Sequence, residues 1–198
     1  MICSCGCLME KINISKNIYY KCDNCKFIKK ENVLSLAKQK ERYDYHVCDE
    51  KYKEYMKNTF DSVKDYIYGK TVLDFGCGKI HALSDILNDN GYKSYFYDLF
   101  FYPNFPDNYF DTIIMIEVFE HLENPFNELK KLKEILNSKG RIIIETKVYP
   151  DILENWWYLR DTTHISFIKE DTLFKWCKKI NMKLLFVNGD IFVLESID

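Results

Sequence analysis

Nothing in the 198 residues approaches the run of ~20 apolar residues that a membrane helix needs. The N-terminus carries cysteines where a signal peptide would carry its apolar stretch. An excess of one charge is also missing: 28 Lys and Arg stand against 30 Asp and Glu, a formal net charge of −2. Neither residues 1–68 nor the remainder has the strongly basic balance of a typical nucleic-acid binder. The expectation is a soluble, cytoplasmic protein with no membrane partner and with nucleic acid disfavoured. Glycine and proline are absent from residues 31–68. There Val33, Leu34, Ala37, and then Tyr52, Tyr55, Met56, Phe60, Val63 and Ile67, recur at helical spacing and predict a helical cap over residues 33–68.

Apolar residues make up 47% of the chain and aromatic ones 16%. That is enough for one substantial core with a small appended module, and it favours an aromatic-lined pocket, although most of the rings must serve packing. The appended module is residues 1–32, which hold five of the eight cysteines. Cys3, Cys5 and Cys7 form a C-x-C-x-C run, and Cys22 and Cys25 form a C-x2-C knuckle. In a reducing compartment, two such clusters suit one tetrahedral structural Zn²⁺ better than disulfides. Cys5, followed by Gly6, is one expected ligand beside Cys22 and Cys25, with either Cys3 or Cys7 as its partner. The alternative is a set of free thiols.

Residues 69–198 alternate strand and helix, as a parallel sheet requires. Thr71 to Ala82 reads TVLDFGCGKIHA: a short apolar run ending in an acidic residue, Gly76 and Gly78 around Cys77, then a helix start. Glycines at alternate positions let a ligand lie against the main chain. The third glycine of a dinucleotide fingerprint is missing, its position being held by His81. Roughly 20 residues past the turn, Asp98 ends a second strand (residues 92–97), placed to accept the ribose hydroxyls of an adenosine-containing cofactor, with Leu99 next to it. Its plainer role is that of a turn residue before an aromatic loop, where Phe100, Phe101 or Tyr102 can form an adenine pocket. Residues 110–116 predict a buried strand, and Asn124 and Pro125 start a helix running to about Asn137 and stopped at Gly140. A strand is expected over 141–146. Two more strands, 182–187 and 191–195, flank Asn188-Gly189, a type I′ hairpin signal.

Val72 to Gly78 resembles the first motif of the class I S-adenosylmethionine-dependent methyltransferases, with Ile80 where that motif's third glycine usually stands. The resemblance implies that Asp74, two before the first glycine, faces the methionyl part of the cofactor. Glu117 to Pro125 resembles the same family's fourth strand and following loop, which implies that Glu117 and His121 line the site. A group of these enzymes with an N-terminal zinc ribbon carries two further elements that this chain is similar to. One is R-Y-x-x-H, here Arg42 to His46; the other is W-x-x-D-x-T-H-x-x-F, here the stretch through Asp161, His164 and Phe167. The fold implied is α/β, a Rossmann-like methyltransferase sheet, mostly parallel with a C-terminal antiparallel hairpin, plus the small zinc-ribbon-like module.

Methyl transfer from a sulfonium asks the protein to align donor and acceptor and to remove a proton when the acceptor is a hydroxyl or amine. His164 is the expected base, with Asp161, three residues earlier, as the group that orients it. The expected partner is a small-molecule or sugar-like methyl acceptor. The rival readings are a non-catalytic cofactor-binding or adaptor protein and a nucleic-acid-binding zinc protein.

Overall fold

The computed structural model describes residues 1–45 and 49–198, so the expected His46 lies outside the described residues. Strands β1 (Glu10–Ile14), β2 (Asn17–Lys21) and β3 (Ile28–Lys30) form an antiparallel meander and are followed by helices α1 (Leu36–Asp44) and α2 (Glu50–Val63). The rest runs β4 (Thr71–Phe75), α3 (Ala82–Asp89), β5 (Lys93–Tyr97), β6 (Phe110–Ile116), α4 (Pro125–Glu134) and β7 (Leu136–Glu145). It closes with β8 (Ser166–Phe167), α5 (Glu170–Cys177), β9 (Met182–Asn188) and β10 (Ile191–Ser196).

Six strands form one sheet in the order β5-β4-β6-β7-β10-β9. The first three pairings are parallel and the last two antiparallel, as expected of the methyltransferase sheet. Because the strands are buried on both faces, their inward positions alternate between two cores. Leu73, Ile113, Ile142 and Ile144 face α4 and α5, while Val72, Ile114 and Ile143 face α2 and α3. The chain proceeds outward from β4 in one direction to β5 and in the other to β6. A crevice opens at such a reversal, beyond the carboxyl ends of the strands.

The cysteine turns belong to the first of these cores. Cys3, Cys22, Cys25 and Phe27 pack in one cluster with Trp176 and Phe119. The Phe27 and Trp176 rings lie 4.9 Å apart, and the Thr172 hydroxyl donates to the Cys25 carbonyl at 2.7 Å. The two-residue strand β8 pairs with β3, Ile28 opposite Phe167, and completes a second sheet of order β1-β2-β3-β8. Local pattern gave no sign of β8, since two residues are too few to show alternation.

Three local expectations change. Helix α4 ends at Glu134, and β7 begins at Leu136, paired with Phe110. The ladder then shifts register, Thr112 pairing with Arg141, so residues 137–140 bulge out. Gly140 therefore serves the bulge rather than a helix stop: a Cβ there would stand 2.7 Å from the Asn137 carbonyl oxygen. The C-terminal hairpin forms, but Asn188 pairs with Ile191, so its turn is Gly189-Asp190. Only Gly189 of that pair has a positive φ, which excludes type I′. Helix α1 buries none of its described side chains, because its contacts are polar and aromatic and lie along one rim of the crevice.

Candidate active site

The glycine turn is pinned to the end of β5 by two hydrogen bonds, Gly76 and Cys77 both donating N–H to the Tyr97 carbonyl at 2.7 and 3.1 Å. Gly76 has φ +84°, and a Cβ there would lie 2.3 Å from Val118 Cγ2, so side chains are excluded by both backbone and neighbour. At Gly78, φ is +69° and a Cβ would meet only the Tyr52 hydroxyl, at 3.9 Å; this is the open side of the turn. The missing third glycine is accounted for at His81. Its left-handed φ of +36° opens α3, and its ring stacks on Phe96 at 4.4 Å.

Asp98 takes the turn role foreseen for it and also stands on the crevice wall. Its Oδ1 accepts from the N–H groups of Phe100 and Phe101 at 2.8 and 3.1 Å, shaping the aromatic loop. Its Oδ2 accepts from Gly78 N–H at 3.1 Å, tying that loop to the glycine turn, and the residue lines the crevice. The crevice is a cavity of about 490 Å³. Gly76, Gly78, Asp98, Leu99 and Phe101 line it beside Glu117, Val118 and His121, together with Tyr43 of α1 and Tyr52, Tyr55 and Met56 of α2. Asp74 and Cys77 do not line it. Asp74 is buried behind the turn; burial raises its carboxyl to about 7, and its Oδ2 has no hydrogen-bond partner. Burial likewise pushes the Cys77 thiol up.

Helix α1 is fastened across the opening. Arg42 reaches Asp161 at 2.9 Å, Lys79 Nζ donates to the Asp44 carbonyl at 2.7 Å, and the Tyr43 ring sits 5.5 Å from Phe100 and 5.4 Å from His121.

After β6 the backbone turns sharply at Glu117, whose φ of +51° is costly for a residue with a Cβ and often marks a site. Glu117 Oε2 accepts from the Tyr158 hydroxyl at 3.0 Å, while its Oε1 is buried without a partner. Glu120 is fully buried and takes the same Tyr158 hydroxyl, together with the Thr146 hydroxyl at 2.8 Å. Burial, followed by the Glu120 charge, raises Glu117 to about 7; burial also raises Glu120. Glu120 and Tyr158 were not singled out from the sequence. Glu120 sat within the recognised segment, but its burial depends on Thr146 and Tyr158, which only the tertiary fold brings to it.

His121 lines the cavity, with Nδ1 3.1 Å from the Thr163 carbonyl. His164 stands behind it, ring centroids 4.7 Å apart, off the cavity wall. The expected Asp161–His164 ring contact does not form. His164 Nδ1 is 2.8 Å from the Tyr158 carbonyl, and Asp161 receives only the His164 backbone N–H, at its own carbonyl. The cause is local: Asp161 Oδ1 is already taken by the N–H and hydroxyl of Thr163, at 2.9 and 2.6 Å, and its Oδ2 by Arg42. Burial, and after it the His121 charge, holds His164 down at about 4, so the ring is neutral at pH 7.

A family described as a methyltransferase domain matches residues 37–186. The chain belongs to this family. A search for curated relatives finds no match. Among solved structures, the Burkholderia thailandensis 1,6-didemethyltoxoflavin-N1-methyltransferase, with 1,6-didemethyltoxoflavin and S-adenosylhomocysteine bound, is similar at 11% identity and TM-score 0.62, over 97% of this chain and all of that one. Magnesium protoporphyrin IX methyltransferase from Synechocystis PCC 6803, with bound S-adenosylhomocysteine, is similar at 13% identity and TM-score 0.52, covering 84% of this chain and 90% of that one. LaPhzM gives 17% identity and TM-score 0.53 over 73% of this chain, which spans 56% of the LaPhzM chain. At these identities the likeness is one of fold. Among the described residues, no helix is long and apolar enough to cross a membrane.

Away from the cavity, the Sγ atoms of Cys3, Cys5, Cys22 and Cys25 all lie within 4.8 Å of one another. Cys3 and Cys25 approach to 3.4 Å, as do Cys5 and Cys22, and Cys7 is outside the group. Of the two partners left open for Cys5, the fold brings in Cys3.

The Asp161 cluster makes stability depend on pH. Burial alone would raise this carboxyl, but the two Thr163 hydrogen bonds, then the His164 and Arg42 charges, outweigh it and hold it at about 2. A carboxylate depressed in the folded state contributes stability above its ordinary value of ~3.9 and loses it as the pH falls through its folded value. Asp161→Asn should cost roughly 1–2 kcal/mol at neutral pH. Urea midpoints of the two proteins at pH 7 check this; coinciding midpoints would contradict it.

Proposed function

We propose that the protein is an S-adenosylmethionine-dependent methyltransferase acting on a small-molecule acceptor, with one structural zinc in its N-terminal module. The observation that carries the cofactor reading is Gly78 and Asp98 hydrogen-bonded to each other on one cavity wall, with the open side of Gly78 facing the space. When bound, the cofactor supplies a methyl group on a positively charged sulfur. Asp98 would accept a ribose hydroxyl on the remaining lone pair of Oδ2, and Phe100, Phe101 and Leu99 would flank the adenine. Asp74, with its orphaned buried Oδ2, fits a role behind the turn, towards a cationic amino group. The acceptor would lie between Glu117 and His121 and the rings of Tyr43, Tyr52 and Tyr55, walls suited to a planar or sugar-like molecule. A structural neighbour that carries 1,6-didemethyltoxoflavin supports an acceptor of that size.

The zinc reading rests on donor chemistry. Thiolates at about 2.3 Å from one ion stand a little under 4 Å apart in a tetrahedron, and the four cysteines lie close to that spacing. Such an ion would order the module without entering the reaction.

Isothermal calorimetry with S-adenosylhomocysteine tests the function. Binding at one per chain is expected, and no binding of NADH. NADH binding in its place would overturn the reading.

A further inference from the structure

Glu120, His121 and His164 each direct one potential ligand atom to within 4.8 Å of the others, and Glu117, joined to Glu120 through the Tyr158 hydroxyl, stands outside that group. Two loops bring them together. The turn after β6 carries Glu117, Glu120 and His121, and the segment before β8 carries His164. The loops are laced by Ile165 N–H donating to the Glu120 carbonyl at 2.8 Å and by the Ser166 hydroxyl donating to the Leu122 carbonyl at 2.7 Å. We propose that Glu117, Glu120, His121 and His164 form a binding site for a divalent cation that borders the acceptor end of the cavity.

The surroundings of each residue fit a ligand better than a proton carrier. Both imidazoles have Nδ1 against a backbone carbonyl, that of Thr163 for His121 and that of Tyr158 for His164. This is the outer hydrogen bond that fixes the tautomer of metal-binding histidines and leaves Nε2 as the ligand atom. His121 Nε2 is 3.9 Å from Glu120 Oε1, a separation one ion can span. Glu120 is oriented through its other oxygen by Thr146, and Tyr158 holds Glu117 and Glu120 side by side. The buried Glu117 Oε1 has no partner.

Two carboxylates gathered in a closed space are costly unless a positive charge joins them. Lys147, close by, has its Nζ on Asp190 at 2.9 Å. A divalent ion would neutralise the pair. Two carboxylates and two imidazoles without sulfur can hold Mn²⁺, Fe²⁺ or Zn²⁺, whereas the four thiols favour zinc, so filling the cysteine site with zinc first lets Mn²⁺ report on this one. Glu117 and His121 line the cavity, so an oxygen of the acceptor can complete the coordination. That use of the ion rests on the proposed function; its binding does not.

The test is titration of the full-length, zinc-replete protein with Mn²⁺, followed by the paramagnetic resonance signal of the free ion. One Mn²⁺ per chain is expected. Glu117→Gln and His164→Gln should each weaken binding by at least the ~10- to 100-fold seen for lost outer partners, with zinc content and thermal unfolding unchanged. A wild-type protein that leaves the free signal undiminished at millimolar Mn²⁺ overturns the site. So does a His164→Gln variant that binds Mn²⁺ as wild type does. Should His164→Gln fail to fold, the wild-type stoichiometry and Glu117→Gln decide. Calorimetry with S-adenosylhomocysteine on metal-free protein separates failure of this site from failure of the methyltransferase reading.

Discussion

Cys22→Ser is expected to abolish the proposed zinc site and, with it, the cooperative fold of the whole chain. The reason lies in where the thiols sit. Cys22 is fully buried in the same cluster as Trp176, and the turn beside it is held from helix α5 by the Thr172 hydroxyl and by Lys175, which donates to the Asn24 carbonyl. A structural zinc contributes about 10–16 kcal/mol to the folding of small zinc domains, against a total stability of about 5–15 kcal/mol for an ordinary domain. A core sharing those thiols has no margin to lose such a site. Elemental analysis should give about one zinc per wild-type chain and none in the variant, and far-UV circular dichroism should show its thermal transition broadened or absent. Cys7→Ser, outside the cluster, should keep both zinc and transition. If Cys22→Ser lost its metal yet melted at the wild-type temperature, the module would be an independent appendage.

The second large effect is at Asp98. Replacement by alanine removes the acceptor for three N–H groups, those of Gly78, Phe100 and Phe101, and the proposed ribose contact as well. A charge-assisted hydrogen bond is worth about 1.5–3 kcal/mol, so affinity for S-adenosylhomocysteine should fall by roughly 10- to 150-fold. Asp98→Asn separates the two contributions. Its carbonyl oxygen can still serve Phe100 and Phe101, but its amide sets N–H against the Gly78 N–H, so it should bind better than alanine and worse than wild type. Calorimetry giving an Asp98→Ala affinity within about twofold of wild type would remove Asp98 from the cofactor site.

The glycine turn, the acid at the end of β5 and the antiparallel hairpin were legible because each is a local matter. A strand-to-helix turn needs particular residues at particular spacings, and Gly76, Gly78 and Asp98 carry them within a short stretch. Where the chain meets itself at a distance, the same residues were misjudged. Asp161 and His164 stand three apart and suggested a pair, but Thr163 and Arg42 claimed the carboxylate, and Arg42 lies far away in sequence. Glu120 carries no local mark of its role, because its burial depends on Thr146 and Tyr158 from distant parts of the chain. The end of α4 was misplaced because pairing between Leu136 and Phe110 draws the chain into the sheet early, which no helical period reveals.

The pairing of Ile28 with Phe167 also fixes an order of events during synthesis. The first three strands leave the ribosome long before the strand that covers their edge, and before Trp176, which covers the cysteine turns. At about 5–20 residues per second, the gap is on the order of ten seconds. Through that interval β3 has an unsatisfied edge, the kind of surface that recruits other chains. Lys29 and Lys30 on that strand oppose such pairing by their charge. Zinc capture by the nascent chain would give the meander shape before its cover arrives, so metal supply during translation would govern how much protein reaches the native state.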